Sequence, residues 1–109
     1  MPRTNNVIPN LFRNHIRMKQ SFVYILTNKY RTTFYIGVTA NLIERARMHR
    51  EGVGSKFTEK YNLKDLVYFE EFSEINQAIA REKQLKNWYH DWKINLIKEQ
   101  NPNLETLNY

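Results

Sequence analysis

Two apolar, β-branched runs stand close together in this chain, and they constrain its fold more than any other feature. Ser21 to Thr27 (SFVYILT) and Thr33 to Val38 (TFYIGV) are separated only by the polar segment Asn28 to Thr32. β-Branched and aromatic side chains suit a pleated surface, and so short a connection predicts an antiparallel hairpin. The first run is almost continuously apolar, so its strand is expected to be buried on both faces. A third strand is read in Leu66 to Phe72 (LVYFEEF). Asn41 is placed to cap a helix, with Glu44 completing a capping box, and that helix reaches about Glu51 before Gly52 and Gly54. Val53 to Asn62 reads as a loop. Ser73 is read as the cap of a second helix ending near Asn87, and a third spans Tyr89 to Gln100 before Pro102. The order β-β-α-β-α-α predicts an α/β (α+β) fold: a three-stranded, mainly antiparallel sheet flanked by helices.

At 109 residues there is room for one core. Residues 1–19 show no sustained periodicity and read as a flexible basic arm, 20–104 as the folded domain and 105–109 as a short tail. There are no cysteines, which excludes a disulfide framework and a thiolate zinc site. No run approaches the roughly 20 apolar residues that span a bilayer, and no apolar stretch follows the first arginines as a secretory signal requires. A soluble, cytoplasmic protein without a membrane partner is therefore expected.

A net charge of +6 invites a nucleic-acid partner, but its distribution matters. Arg3, Arg13, Arg17 and Lys19 precede the folded domain, whereas all 11 acidic residues lie after them, in residues 21–109. Inside the domain, Arg45 to Lys64 is the basic stretch, followed by the acidic Asp65, Glu70, Glu71 and Glu74. A localised positive surface is expected, with Arg47, Arg50, Lys56 and Lys60 as the nucleic-acid-binding candidates.

Helical periodicity singles out three side chains. Arg45 and His49 are neighbours one turn apart, on the flank of the buried stripe of the first helix. They are either a phosphate-binding pair or a boundary histidine beside an ion-paired arginine. Glu82 falls within the apolar stripe of the second helix, only about 20° from Ile75 at 100° per residue. A buried carboxylate must be paired or bind a cation. Arg81 and Lys83 point off the stripe, which leaves Arg45 across the core or a divalent ion; oxygen ligation with open water positions suits Mg²⁺ or Mn²⁺. In the hairpin, alternation puts Tyr35 and Gly37 on one face, and Tyr24 of the partner strand is expected across from Tyr35. Gly37 within a strand signals a close approach of backbone or ligand. Trp88, Tyr89 and Trp92, continued by Leu96, read as cover for the sheet.

These pieces together resemble the GIY-YIG nuclease superfamily. Val23-Tyr24 and Tyr35-Ile36-Gly37 look like its paired signature; Arg45 and His49 follow at the family's helical spacing. Ala80-Arg81-Glu82-Lys83-Gln84-Leu85-Lys86 followed by Trp88, with Phe57-Thr58 and Asn101-Pro102, resembles its small stand-alone, excinuclease-subunit-like subgroup. The resemblance implies a metal-dependent endonuclease acting on nucleic acid, DNA first. Arg45 would hold the scissile phosphate, Glu82 one Mg²⁺ or Mn²⁺, and Tyr35 would activate the attacking water. Tyr24 and His49 would assist. The family's late asparagine has Asn95, Asn101 and Asn103 as candidates here. A nucleic-acid-binding module on the same fold, with little catalysis, is the alternative; a homodimer or a protein partner is left open.

Overall fold

The hairpin forms as the two runs require. A computed structural model describes residues 20–108, so the arm expected over 1–19 lies outside the described residues. Strands β1 (Ser21–Thr27) and β2 (Phe34–Thr39) pair antiparallel, and β3 (Asp65–Phe72) pairs antiparallel with the other edge of β1, giving the order β2-β1-β3. Every residue of β1 is buried, as expected for a central strand covered on both faces. The connections are helical: α1 (Leu42–Arg50), α2 (Lys56–Lys60), α3 (Ile75–Lys86) and α4 (His90–Gln100). No helix among the described residues is long and apolar enough to cross a membrane.

The sheet divides the core into two layers. Val23, Ile25, Ile36 and Val67 pack with Ala78, Leu85, Leu96 and Ile97 of α3 and α4. Tyr24, Leu26, Leu66 and Phe69 pack on the other face with Leu42 and Ala46 of α1 and with Leu63. The alternation of β1 thus feeds two opposite helical layers, which is why that strand carries no polar face.

Several boundaries differ from the sequence reading, each for a local reason. The stretch expected to be a loop contains α2: Ser55 Oγ accepts from the Thr58 amide at 3.1 Å and supplies the N-cap. Asn41 does cap α1, its Oδ1 accepting from the Glu44 amide at 3.1 Å. The reciprocal half of the capping box is absent, because the Asn41 amide donates to Thr39 Oγ1 at 3.0 Å and Glu44 pairs with Arg47. Helix α3 begins one residue after the expected Ser73–Glu74 start, on an extended Glu74 with no side-chain cap. Tyr89 and Trp92 are exposed, so only Trp88 of that aromatic group covers the sheet.

A bulge in β3 fixes the end of the chain. Ile25 pairs with Tyr68 and Leu26 with Leu66, so Val67 has no partner in the register. The Val67 carbonyl is met by Asn101 Nδ2 at 2.9 Å, and the same amide group donates to Glu105 O at 2.8 Å. The Leu107 amide then donates to Leu66 O at 2.8 Å, laying the tail against β3.

Candidate active site

Tyr24 is the hub of the α1 face. It lies opposite Gly37 in the β1–β2 register, not opposite Tyr35, which pairs with Leu26. Tyr35 is therefore its diagonal neighbour on the same face, with ring centroids 6.3 Å apart. Gly37 is what admits the ring: a Cβ there would fall 2.4 Å from both Cζ and the hydroxyl oxygen of Tyr24. The close approach expected at Gly37 is thus made by a tyrosine of the neighbouring strand.

The Tyr24 hydroxyl lies 3.0 Å from His49 Nε2, and His49 Nδ1 lies 3.1 Å from Thr58 Oγ1. Thr58 Oγ1 donates to the Ser55 carbonyl at 3.2 Å, so it accepts from the imidazole. That assigns the proton to Nδ1 and leaves Nε2 to accept from the phenol. The chain of donors runs from the Tyr24 O–H to His49 and on to Thr58. Tyr24 and His49 are each 1% exposed. The boundary position expected for His49 is overturned: Leu42, Ala46 and His49 form the buried line of α1. The ring fits because residue 54 is glycine; a Cβ there would meet Nδ1 at 2.0 Å.

Charge in this pocket is set by burial and by Arg45. Burial drives the His49 pKa down to about 4, and the neighbouring Arg45 cation adds to the effect, so the imidazole is neutral near pH 7. Burial likewise raises the Tyr24 pKa, reinforced by Tyr35; the charge and hydrogen bond of Arg45 oppose this, and Glu82 adds to it. Tyr24 is therefore a neutral phenol that donates to His49 with the Arg45 cation beside it. A cation does stand beside it, yet desolvation outweighs the cation.

Glu82 departs from its expected environment. Its side chain is 20% exposed, and its nearest cation is neither Arg45 nor Arg81 but Lys86, one turn on, at 3.2 Å. The buried line of α3 is Ala78 and Leu85, while Ile75 is exposed, so the stripe is rotated relative to the periodicity reading. Arg81 and Glu82 flank that line. Arg81 turns to β3, where its Nε and Nη2 hold Glu70 at 2.8 and 2.9 Å. Glu82 occupies the other flank, from which its charge bears on Tyr24. Helix α3 packs against β1 and β2, the strands that carry Tyr24 and Tyr35. The Lys86 end of this i,i+4 pair is half-exposed, and such helix pairs contribute on the order of 0.5 kcal/mol, so Lys86 is a weak competitor for a divalent ion. No group of three acidic or histidine ligands exists among the described residues. The donor set fits a hard cation held by one carboxylate, with water and substrate oxygens filling the shell.

The basic candidates are not equivalent. Arg47 is occupied by Glu44 at 2.5 Å and Glu51 at 2.9 Å, which spends its charge within α1. Lys56 and Lys60 are exposed on α2, and Arg50 is exposed at the end of α1. Of the late asparagines, Asn101 is buried and structural. The sequence reading missed Gly54 and Ser55; a glycine and a hydroxyl shortly after a helical histidine were the available signal.

Comparison with known proteins establishes the family. Residues 20–95 match the GIY-YIG catalytic domain, a nuclease-type domain. A UPF0213 protein of Clostridium perfringens is 38% identical over 77 residues, covering 71% of this chain and 82% of the relative. One from Staphylococcus haemolyticus is 34% identical over 82 residues, 75% of this chain and 99% of the relative. The solution NMR structure of a UPF0213 protein from Bacillus halodurans superposes with a TM-score of 0.52 at 26% identity, covering 80% of this chain and 92% of that one. The chain belongs to the GIY-YIG family and, within it, to the small UPF0213 proteins.

Proposed function

We propose that this protein is a metal-dependent endonuclease that hydrolyses phosphodiester bonds in DNA. The observation that carries the reading is the contact of the Tyr24, Tyr35 and His49 rings from β1, β2 and α1, with the charge of Arg45 and, most weakly, that of Glu82 acting on Tyr24. Burial sorts these five into two groups. Tyr24 and His49 are enclosed and can reach substrate only through other residues; Tyr35, Arg45 and Glu82 are partly exposed.

In this mechanism Arg45 binds the scissile phosphate, its guanidinium fork matching two phosphate oxygens and the charge that builds on them. Tyr35 orients the attacking water with its phenol oxygen. The water oxygen bonds to phosphorus as the opposite P–O bond breaks; the water gives up its proton past Tyr35 to solvent, and the leaving oxygen takes one up from solvent. Tyr24 positions Arg45: because its O–H is committed to His49, its lone pairs face the guanidinium. His49, held in the Nδ1–H form by Thr58, fixes that direction. Glu82 would hold a Mg²⁺ or Mn²⁺ ion, which when bound stabilises charge on the leaving oxygen. The exposed Arg50, Lys56 and Lys60 supply contacts to flanking phosphates.

The test is incubation with supercoiled, branched and single-stranded DNA, and with RNA, in Mg²⁺, Mn²⁺ or EDTA, beside Arg45→Ala. Metal-dependent cutting of DNA that Arg45→Ala abolishes is expected. Binding with a steep salt dependence and no cutting of any substrate would replace the enzyme with a binding module.

A further inference from the structure

The aromatic line of the site does not stop at Tyr35. The Phe57 ring stacks on Tyr35 with centroids 6.0 Å apart and planes at 29°, and Tyr61 follows Phe57 at 4.8 Å. Phe57 and Tyr61 are one helical turn apart on α2, and they stay 45% and 43% exposed. The buried residue of α2 is Thr58, which grips His49, so the helix is anchored without using either ring as core. Lys60 Nζ stands 5.3 Å from the Tyr61 ring centroid, with Lys56 one turn before it; Glu59 is the acid between them. Neither lysine takes part in an ion pair among the described residues.

We propose that Phe57 and Tyr61 form a shelf on which an unpaired base of single-stranded DNA stacks, next to the phosphate held by Arg45. The proposal rests on the nuclease reading and specifies its substrate. Exposed aromatic faces flanked by cations are what a nucleic-acid strand recognises through stacking and phosphate contacts together. A base inside a duplex hides both faces against its neighbours, so the shelf selects single-stranded, frayed or branch-point nucleotides. Continuity with Tyr35 puts the stacked base beside the proposed cutting site rather than at a remote one.

The test uses the full chain in EDTA, so that binding is read without cleavage. Oligodeoxynucleotides carrying 2-aminopurine are titrated as single strands and as duplexes, following base fluorescence and anisotropy. The single strand is expected to show quenching on binding and the duplex to show little. Tyr61→Ala and Phe57→Ala should each weaken single-strand binding about tenfold, and Tyr61→Phe should retain it. Because Phe57 abuts Tyr35, circular dichroism checks its variant, and Tyr61→Ala at the exposed end decides if that variant misfolds. Equal affinity of Tyr61→Ala and the parent, or equal binding of duplex and single strand without quenching, would overturn the proposal. Stacking lost while metal-dependent cutting persists defeats this inference alone. Stacking intact while no substrate is ever cut supports the shelf and defeats the nuclease reading.

Discussion

Substituting Gly37 by alanine probes the site through one methyl group. The new Cβ would lie 2.4 Å from Cζ and from the hydroxyl oxygen of Tyr24. Non-bonded carbons rest about 3.5–4.0 Å apart, so the end of the Tyr24 ring must retreat by about 1 Å or more. The ring is buried and its hydroxyl sits 3.0 Å from His49, so it cannot retreat without breaking that bond and shifting away from Arg45. Overpacking of this kind costs about 1–3 kcal/mol, and one lost buried hydrogen bond adds about 1 kcal/mol. We expect Gly37→Ala to lower unfolding stability by roughly 2–4 kcal/mol in urea denaturation. A displacement of that size should also reduce cleavage about 100-fold. A double-mutant cycle isolates the cause: in a Tyr24→Leu background the ring end is gone, and the cost of Gly37→Ala should fall below about 1 kcal/mol. A single-mutant cost within about 0.5 kcal/mol of zero, the level of an ordinary surface substitution, would refute the reasoning. So would a cost unchanged by Tyr24→Leu.

Three further outcomes follow from the same geometry. The unfolded His49 binds a proton near its ordinary pKa of 6.5, whereas the folded one resists until about pH 4. The His49 contribution to stability should therefore fall as pH drops from 6.5 to 4 and then level off, a loss of roughly 3 kcal/mol that His49→Gln removes from the pH profile of urea unfolding. Asn101→Ala leaves the Val67 carbonyl without its side-chain donor; it should cost about 1–3 kcal/mol, and hydrogen exchange should show lost protection at the Leu107 amide. Arg47→Ala should barely change DNA affinity because its charge is already matched by Glu44 and Glu51, whereas Lys60→Ala should lower the salt slope by about one phosphate contact.

What the sequence made legible was what periodicity and local propensity encode. The hairpin, the three strands and the two-faced burial of β1 follow from side-chain type, and the register of β2 placed Tyr35 and Gly37 on one face as read. Short-range competition was less visible. Nothing local told Glu44 to choose Arg47 over the Asn41 amide, and α2 is too short for periodicity to show. Glu82 was singled out because its stripe was centred on Ile75. The packed helix rotates that line to Ala78 and Leu85, and Lys86, one turn on and not weighed as a partner, meets Glu82. The Tyr24–Gly37 opposition depends on strand register, which hydrophobic alternation alone left open. Helix angles alone put His49 on the flank of α1, because the Gly54 gap and the Thr58 hydroxyl that let an imidazole be buried lie beyond the helix, where periodicity does not reach.

The central claim is that Glu82 holds the ion on which cleavage depends. Its most direct test is the metal-concentration dependence of DNA cleavage by the parent protein and by Glu82→Gln, which keeps shape and removes charge. The parent should cut with a saturable requirement for Mg²⁺ or Mn²⁺. Glu82→Gln should remain folded, since an ion pair to Lys86 contributes little, and should lose cleavage at every metal concentration tried or regain it only at far higher ones. Cleavage by Glu82→Gln with an unchanged metal dependence would contradict the assignment.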